Sequence, residues 1–196
     1  MCGSLGSSSA NRAALDLAVE RLKLNEITEA IVDVPIADVP MLNPELVDDP
    51  PAAVADMRCH LESADGVLLA APEYAGGLAG GMKNALDWLV GSSSLYHRPV
   101  VVLSAGTTGS EFAIEQLVRT LSWQGALTVG VLGISAPRTK MTPGTGFVDP
   151  ETVEAIEGLA DILVAAVEMD GASLLETVSR AVSPFGIDPA RFGDLR

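Results

Sequence analysis

The sequence predicts an α/β domain: a parallel sheet with helices on both faces. Three observations carry this. Strand-like and helix-like segments alternate along the chain, the pattern of βαβ units. The runs Gly66 to Ala71 and Val100 to Leu103 are continuously apolar, as expected of strands buried on both faces. Loops rich in Gly, Ser and Pro follow the strand-like runs, and in such sheets ligands bind outside the carboxyl ends of the strands.

Taken in order, Ser9 to Leu24 places Ala13, Ala14, Leu17, Ala18 and Leu22 close to helical spacing. Ile27 to Val34 is a short β-branched run closed by Pro35 and predicts a strand. Pro35 to Pro51 reads as a long loop. Pro50 and Pro51 suit the start of a helix reaching about Ser63, with Cys59 expected on its buried side. A strand over Gly66 to Ala71 leads into a flexible glycine loop and a helix from about Met82 to Val90. The strand at Pro99 to Ser104 precedes a helix over Gly109 to Trp123. Ala126 to Ile134 is β-rich, Ser135 to Asp149 reads as a loop, and Pro150 opens a long helix ending near Gly171. Ala172 to Val182 predicts a short amphipathic helix, with an irregular tail from Ser183.

The chain has 196 residues, 48% of them hydrophobic and 19% charged, so one well-filled core is expected and disorder is excluded. Mean hydropathy is +0.33, yet the longest apolar runs are far too short to cross a bilayer. The net charge of −14 argues against nucleic acid and against anionic membranes. It leaves room for a small phosphorylated ligand held by local backbone donors. Cys2 and Cys59 make neither a disulfide framework nor a zinc site, as expected of reduced thiols in a cytoplasmic protein, and no signal peptide is visible. There is no G-x-S-x-G elbow and no Walker motif. His60 and His97 lie away from the expected ligand edge.

Three segments carry chemistry. Gly3-Ser4-Leu5-Gly6-Ser7-Ser8-Ser9-Ala10-Asn11 is hydroxyl-rich and feeds a helix, a pattern that suits a phosphomonoester or an ordinary serine N-cap. Pro72 to Trp88 follows the most apolar strand. Its glycines allow close approach to the backbone, and Tyr74 offers a face for a flat ring; an ordinary glycine-rich connection anchored by Trp88 is the alternative. Ser104 to Gly109 joins a buried strand to a helix, as a set of N–H donors toward a ligand or simply as a tight turn.

Together these segments resemble the NAD(P)H-dependent FMN reductases. GSLGSSSAN resembles their GSxRxxSxN phosphate loop, PEYAGGLAGGMKNALDW their PEYNxxxPGxLKNAIDW motif, and SAGTTG their S-x-G-x-x-G loop. The resemblance spans roughly Gly3 to Leu132 and is most specific in the middle motif. It implies a flavodoxin-like, doubly wound parallel sheet in the order 2-1-3-4-5, with FMN where the order switches. Carried over by position, Ser4, Ser9 and Asn11 hold the FMN phosphate. Pro72, Glu73 and Tyr74 line the isoalloxazine, largely through backbone, and Ser104, Gly106 and Thr107 face its pyrimidine side. The implied reaction passes hydride from NADPH or NADH through the flavin to a small-molecule electron acceptor: a quinone, an azo or nitro compound, a metal oxyanion or free flavin. An FMN-binding electron carrier and a flavin-free interaction protein of the same fold are the alternatives. Arg12, Arg138 and Lys140 are the cations open to a 2′-phosphate. A homodimer or homotetramer is implied, with Lys83, Asn84 and Asp87 at a subunit contact or on a solvated face.

Three positions depart from the family pattern: Gly6 stands for Arg, Ala75 for Asn and Ala79 for Pro. A lost charge-assisted hydrogen bond weakens binding by about 1–3 kcal/mol. Residues 1–171 are expected to form the FMN-binding domain and residues 172–196 a C-terminal extension. Only Met1 and Cys2 precede the phosphate loop, where the family's first strand belongs. The expectation is a misplaced chain start or a truncated first strand, with unpaired backbone on both flanks.

Overall fold

A computed structural model of the chain describes residues 1–6 and 8–193. The regular elements, in chain order, are α1 (Ala10–Lys23), α2 (Ala52–Ser63), β1 (Val67–Ala70), β2 (Glu73–Tyr74), β3 (Gly77–Leu78), α3 (Gly80–Asp87), β4 (Pro99–Gly106), α4 (Glu111–Trp123), β5 (Leu127–Ser135), β6 (Met141–Thr142), β7 (Gly146–Phe147), α5 (Pro150–Glu168) and α6 (Gly171–Val182). Their ends follow local chemistry. The Ser9 hydroxyl accepts from the N–H groups of Asn11 and Arg12 at the start of α1. Asp149 caps α5 through Thr152, and Asp170 caps α6 through Ala172 and Ser173.

The central sheet is parallel, in the order β1-β4-β5. Val67 pairs with Val100 and Ala70 with Leu103; Pro99 pairs with Leu127 and Gly106 with Ser135. Side chains alternate between two cores. Val101 and Leu103 meet α1 and α5 through Ala14, Leu15, Ile156 and Leu159. Val100 and Val102 meet the other face, where Met57, Leu61, Met82, Leu86, Leu117 and Leu121 come from α2, α3 and α4. Buried positions 54, 57 and 61 set the inner face of α2, so Cys59 points outward and is exposed, contrary to expectation.

Met1–Gly3 lie along the free side of β1. Cys2 bridges Ala70 in parallel. The Met1 amino group donates to the Leu68 carbonyl at 2.9 Å, and Ala70 N–H donates to the Met1 carbonyl at 3.0 Å. Gly3 N–H donates to the Ala70 carbonyl at 2.7 Å. The expectation of unpaired backbone is thus corrected on the β1 flank. Burial holds the Met1 amine at about 6 rather than 8.0, with Asp33 opposing that shift.

The strand expected over Ile27 to Val34 is absent. A strand needs a neighbouring ladder, and no described strand pairs with this segment. Ile27, Ile31 and Val32 are exposed, while Val34, Ile36 and Val39 drop into the second core. Two small hairpins replace expected loops: β2 with β3, and β6 with β7. Helix α6 packs along β5, the last strand of the sheet, and its Leu174, Val178 and Val182 join the first core together with Ile187 and Phe192. Residues 194–196, part of the expected irregular tail, lie outside the described residues.

Candidate functional site

Three loops meet at the carboxyl edge of the sheet, and each is tied to its surroundings by a hydrogen bond or a close contact. The first runs from Gly3 to Ser9. A Cβ at Gly3 would lie 3.0 Å from Met82 Cβ and 3.3 Å from Pro72 Cδ, so glycine lets this loop touch the second. Ser4 and Ser9 are partly exposed at its two ends, and Gly6 is exposed, with only Ser4 Oγ within 4.0 Å of where a Cβ would sit. Ser7 lies outside the described residues.

The second loop begins at buried Pro72 and forms the β2–β3 hairpin. Its turn residues Ala75 and Gly76 have φ of 53° and 72°, a type I′ arrangement. Two bonds staple the hairpin to α4. The Glu73 carboxylate accepts from Ala113 N–H at 3.0 Å, and Leu78 N–H donates to Gln116 Oε1 at 2.8 Å. Glu73 therefore serves as an external cap, its negative charge placed at the positive end of the α4 dipole. Tyr74 is 62% exposed, and a Cβ at Gly76 or Gly80 would meet nothing within 4 Å. Asn84 is turned inward: its Nδ2 donates to the Pro40 carbonyl and its Oδ1 accepts from Leu42 N–H, each at 2.9 Å. Of the three residues weighed for a subunit contact, Lys83 and Asp87 form a surface ion pair and Asn84 is internal.

The third loop leaves β4 at Gly106. Ser104 is buried and its hydroxyl donates to the Ala71 carbonyl. Gly106 is partly buried and Thr107 exposed. Thr108 bridges Ser135, and Ala136 N–H donates to the Thr107 carbonyl at 3.2 Å, tying the loop to the end of β5. A Cβ at Gly133 would come within 2.6 Å of the Gly109 carbonyl, so this approach also requires glycine.

Asn11, which the resemblance assigns to the phosphate, is turned inward. It is 3% exposed, and its carboxamide faces the Ala105 peptide groups: Nδ2 donates to the Ala105 carbonyl and Oδ1 accepts from Ala105 N–H, both at 2.9 Å. The loops of the phosphate-like and turn-like motifs are thereby joined inside the protein. Arg12, next along, pairs with Asp33 at 2.7 Å, which raises its pKa and turns the guanidinium away from the role of free cation. Arg138 is exposed in the short turn after β5.

The residues present fit a phosphomonoester joined to a flat ring. The edge combines hydroxyls, open glycine backbone and an exposed aromatic face. Among the described residues there is no group of three or more His, Cys, Asp or Glu that could hold a metal.

A family model described as NADPH-dependent FMN reductase matches residues 1–139. The chain belongs to the NADPH-dependent FMN reductase family. An NADPH azoreductase of a Bacillus species is 30% identical over 63% of this chain and 66% of its own length. A quinone reductase of Escherichia coli is 28% identical over 81% of this chain and 88% of its own. The match to a probable NADPH:quinone oxidoreductase of Oryza sativa, 42% identical, covers 43% of that relative, so the chain spans between under half and about two thirds of several curated relatives. Among solved structures, the NAD(P)H:(acceptor) oxidoreductase FerB of Paracoccus denitrificans superposes with a TM-score of 0.69 at 26% identity, over 86% of this chain and 94% of that one. The parallel sheet flanked by helices is that of the flavodoxin-like FMN reductases.

This member of the FMN reductase family holds two further residues at the site. Gln116 carries no sequence signal, because its partner Leu78 lies 38 residues away. Ser110 immediately precedes α4, yet its φ is 59°, it is buried, and its hydroxyl has no partner among the described residues. The left-handed backbone removes it from capping geometry, and Glu73 caps α4 in its place.

Proposed function

We propose that this chain is an FMN-dependent oxidoreductase using NADPH or NADH as reductant. FMN bound at the three-loop edge would supply the hydride relay, taking two electrons from the nicotinamide and delivering them to a quinone, azo or nitro compound, metal oxyanion or free flavin. In this reading Ser4 and Ser9, with the start of α1, hold the phosphate. Pro72, the Glu73 backbone and Tyr74 form one wall for the ring. Gly106 and Thr107 present backbone donors to its pyrimidine side, where they favour the negative charge of the reduced state, and Ser104 anchors the strand beneath them. No side chain is required as general acid or base.

The observation that carries the reading is the mutual fixing of the three loops: Asn11 to Ala105, Glu73 to Ala113, and Gly3 against Pro72. A pre-set edge holds a rigid planar cofactor without a large ordering cost. We further propose that residues 1–171 are the reductase unit and residues 172–196 a C-terminal extension whose residues 172–193 cover the β5 edge, and that the protein is a cytoplasmic homodimer or homotetramer. Free Cys2 and Cys59 support the setting, and the exposed Phe112, Trp123 and Val90 along α4 and the end of α3 support the assembly. Steady-state oxidation of NADPH or NADH with a quinone and added FMN tests the activity: turnover dependent on all three is expected. Flavin binding without turnover would reassign the chain as a carrier.

A further inference from the structure

The arrangement around Asn11 goes beyond phosphate binding, while resting on the flavin reading above. The β1–β4 ladder ends with Ala70 opposite Leu103, and Ala71 N–H donates to the Leu103 carbonyl. In a parallel ladder alternate residues face the same neighbour, so Ala105 points its N–H and carbonyl to the side that Leu103 uses. There the neighbouring chain has turned away at Pro72, which has no N–H to offer. Ser104 takes the Ala71 carbonyl. The Asn11 carboxamide takes both Ala105 groups, across 94 residues of sequence and out of contact with water. A primary amide offers a donor and an acceptor side by side, which matches a peptide edge; a carboxylate or a hydroxyl does not provide that pair.

We propose that Asn11 is a positioning residue for the flavin ring. It adds one rung beyond the end of the β1–β4 ladder and so aims the backbone donors of Gly106 and Thr107, while the phosphate is left to Ser4 and Ser9. The rung also couples the phosphate loop to the ring-side loop.

The test compares FMN with riboflavin, which lacks the phosphate, by fluorescence titration of the wild type and of Asn11→Asp, Asn11→Ser and Ser4→Ala. Loss of the buried rung should weaken both flavins by a similar factor, about tenfold or more. Ser4→Ala should weaken FMN alone. The midpoint potential of FMN bound to the Asn11 variants should move to more negative values, a change that lower fold stability alone would not produce. Weakened FMN with unchanged riboflavin would make Asn11 a phosphate ligand and overturn the proposal, as would variants with unaltered affinity and potential. A measurement on the FMN-free wild type guards against variants that do not fold: the Ala105 amide should exchange as slowly as that of Leu103, and fast exchange would overturn the rung. A wild type that binds neither flavin overturns the flavin reading, while its exchange pattern still reports on the rung.

Discussion

Ala75 is the residue whose chemistry most plainly disagrees with its backbone. It occupies the first left-handed position of the β2–β3 turn, with a φ of 53°, and is exposed, so a side chain brings strain and no compensating contact. Ala75→Gly should raise stability by about 1 kcal/mol, or roughly 2–4 °C in melting temperature. An unchanged or lower melting temperature would show that the turn does not strain alanine. Gly133 is the opposite case. Its missing Cβ leaves room for the Gly109 carbonyl, so Gly133→Ala should cost roughly 1–3 kcal/mol and push the third loop outward. Flavin affinity should fall with it in the same titration. The glycine and serine loops were legible in the sequence because turn chemistry is local. The actual partners of Asn11, Glu73 and Ser104 were not, since each lies more than 30 residues away.

At the scale of elements, the PEY hairpin depends on α4 for its placement. Glu73→Ala removes the cap on Ala113 and should cost about 1 kcal/mol, measurable by urea unfolding. In a double-mutant cycle with Gln116→Ala the losses should be non-additive, because both bonds hold one hairpin. The caps of α5 and α6 set an acid limit. Thr152 groups hold Asp149, and Ser173 groups hold Asp170, below the ordinary 3.8. The unfolded chain therefore binds more protons in that range, and stability rises with pH. The contribution is complete above the ordinary carboxylate value and is lost as pH falls through the lowered ones. Asp149→Asn and Asp170→Asn should flatten that acid slope in melts across about pH 2–5. The helices were readable from spacing and caps. Ile27 to Val34 was misread because strand propensity needs a ladder to join, and β2 and β3 were too short to leave a periodic signal.

Among the described residues of the whole molecule, the central sheet has three strands, and its two sides are covered by different means. Met1–Gly3 lie against β1, and α6 with the following turns lies against β5. Arg191 stacks over Trp123 at 4.5 Å and pins that last segment to the end of α4. Phe192→Ala should cost about 3 kcal/mol while leaving flavin affinity unchanged, because Phe192 belongs to the core beside α6 and not to the three loops. The acidic composition limited the partners, and the order of motifs gave the family; neither could place the C-terminal residues, whose packing is a property of the folded edge. In the proposed function the three-loop edge binds FMN and lets NADPH or NADH reduce it. Equilibrium titration of the purified chain with FMN, followed by anaerobic addition of NADPH or NADH, tests this most directly. The account predicts saturable binding at micromolar FMN or below and bleaching of the bound flavin's visible absorbance; no binding in that range, or bound flavin that neither nucleotide bleaches, would contradict it.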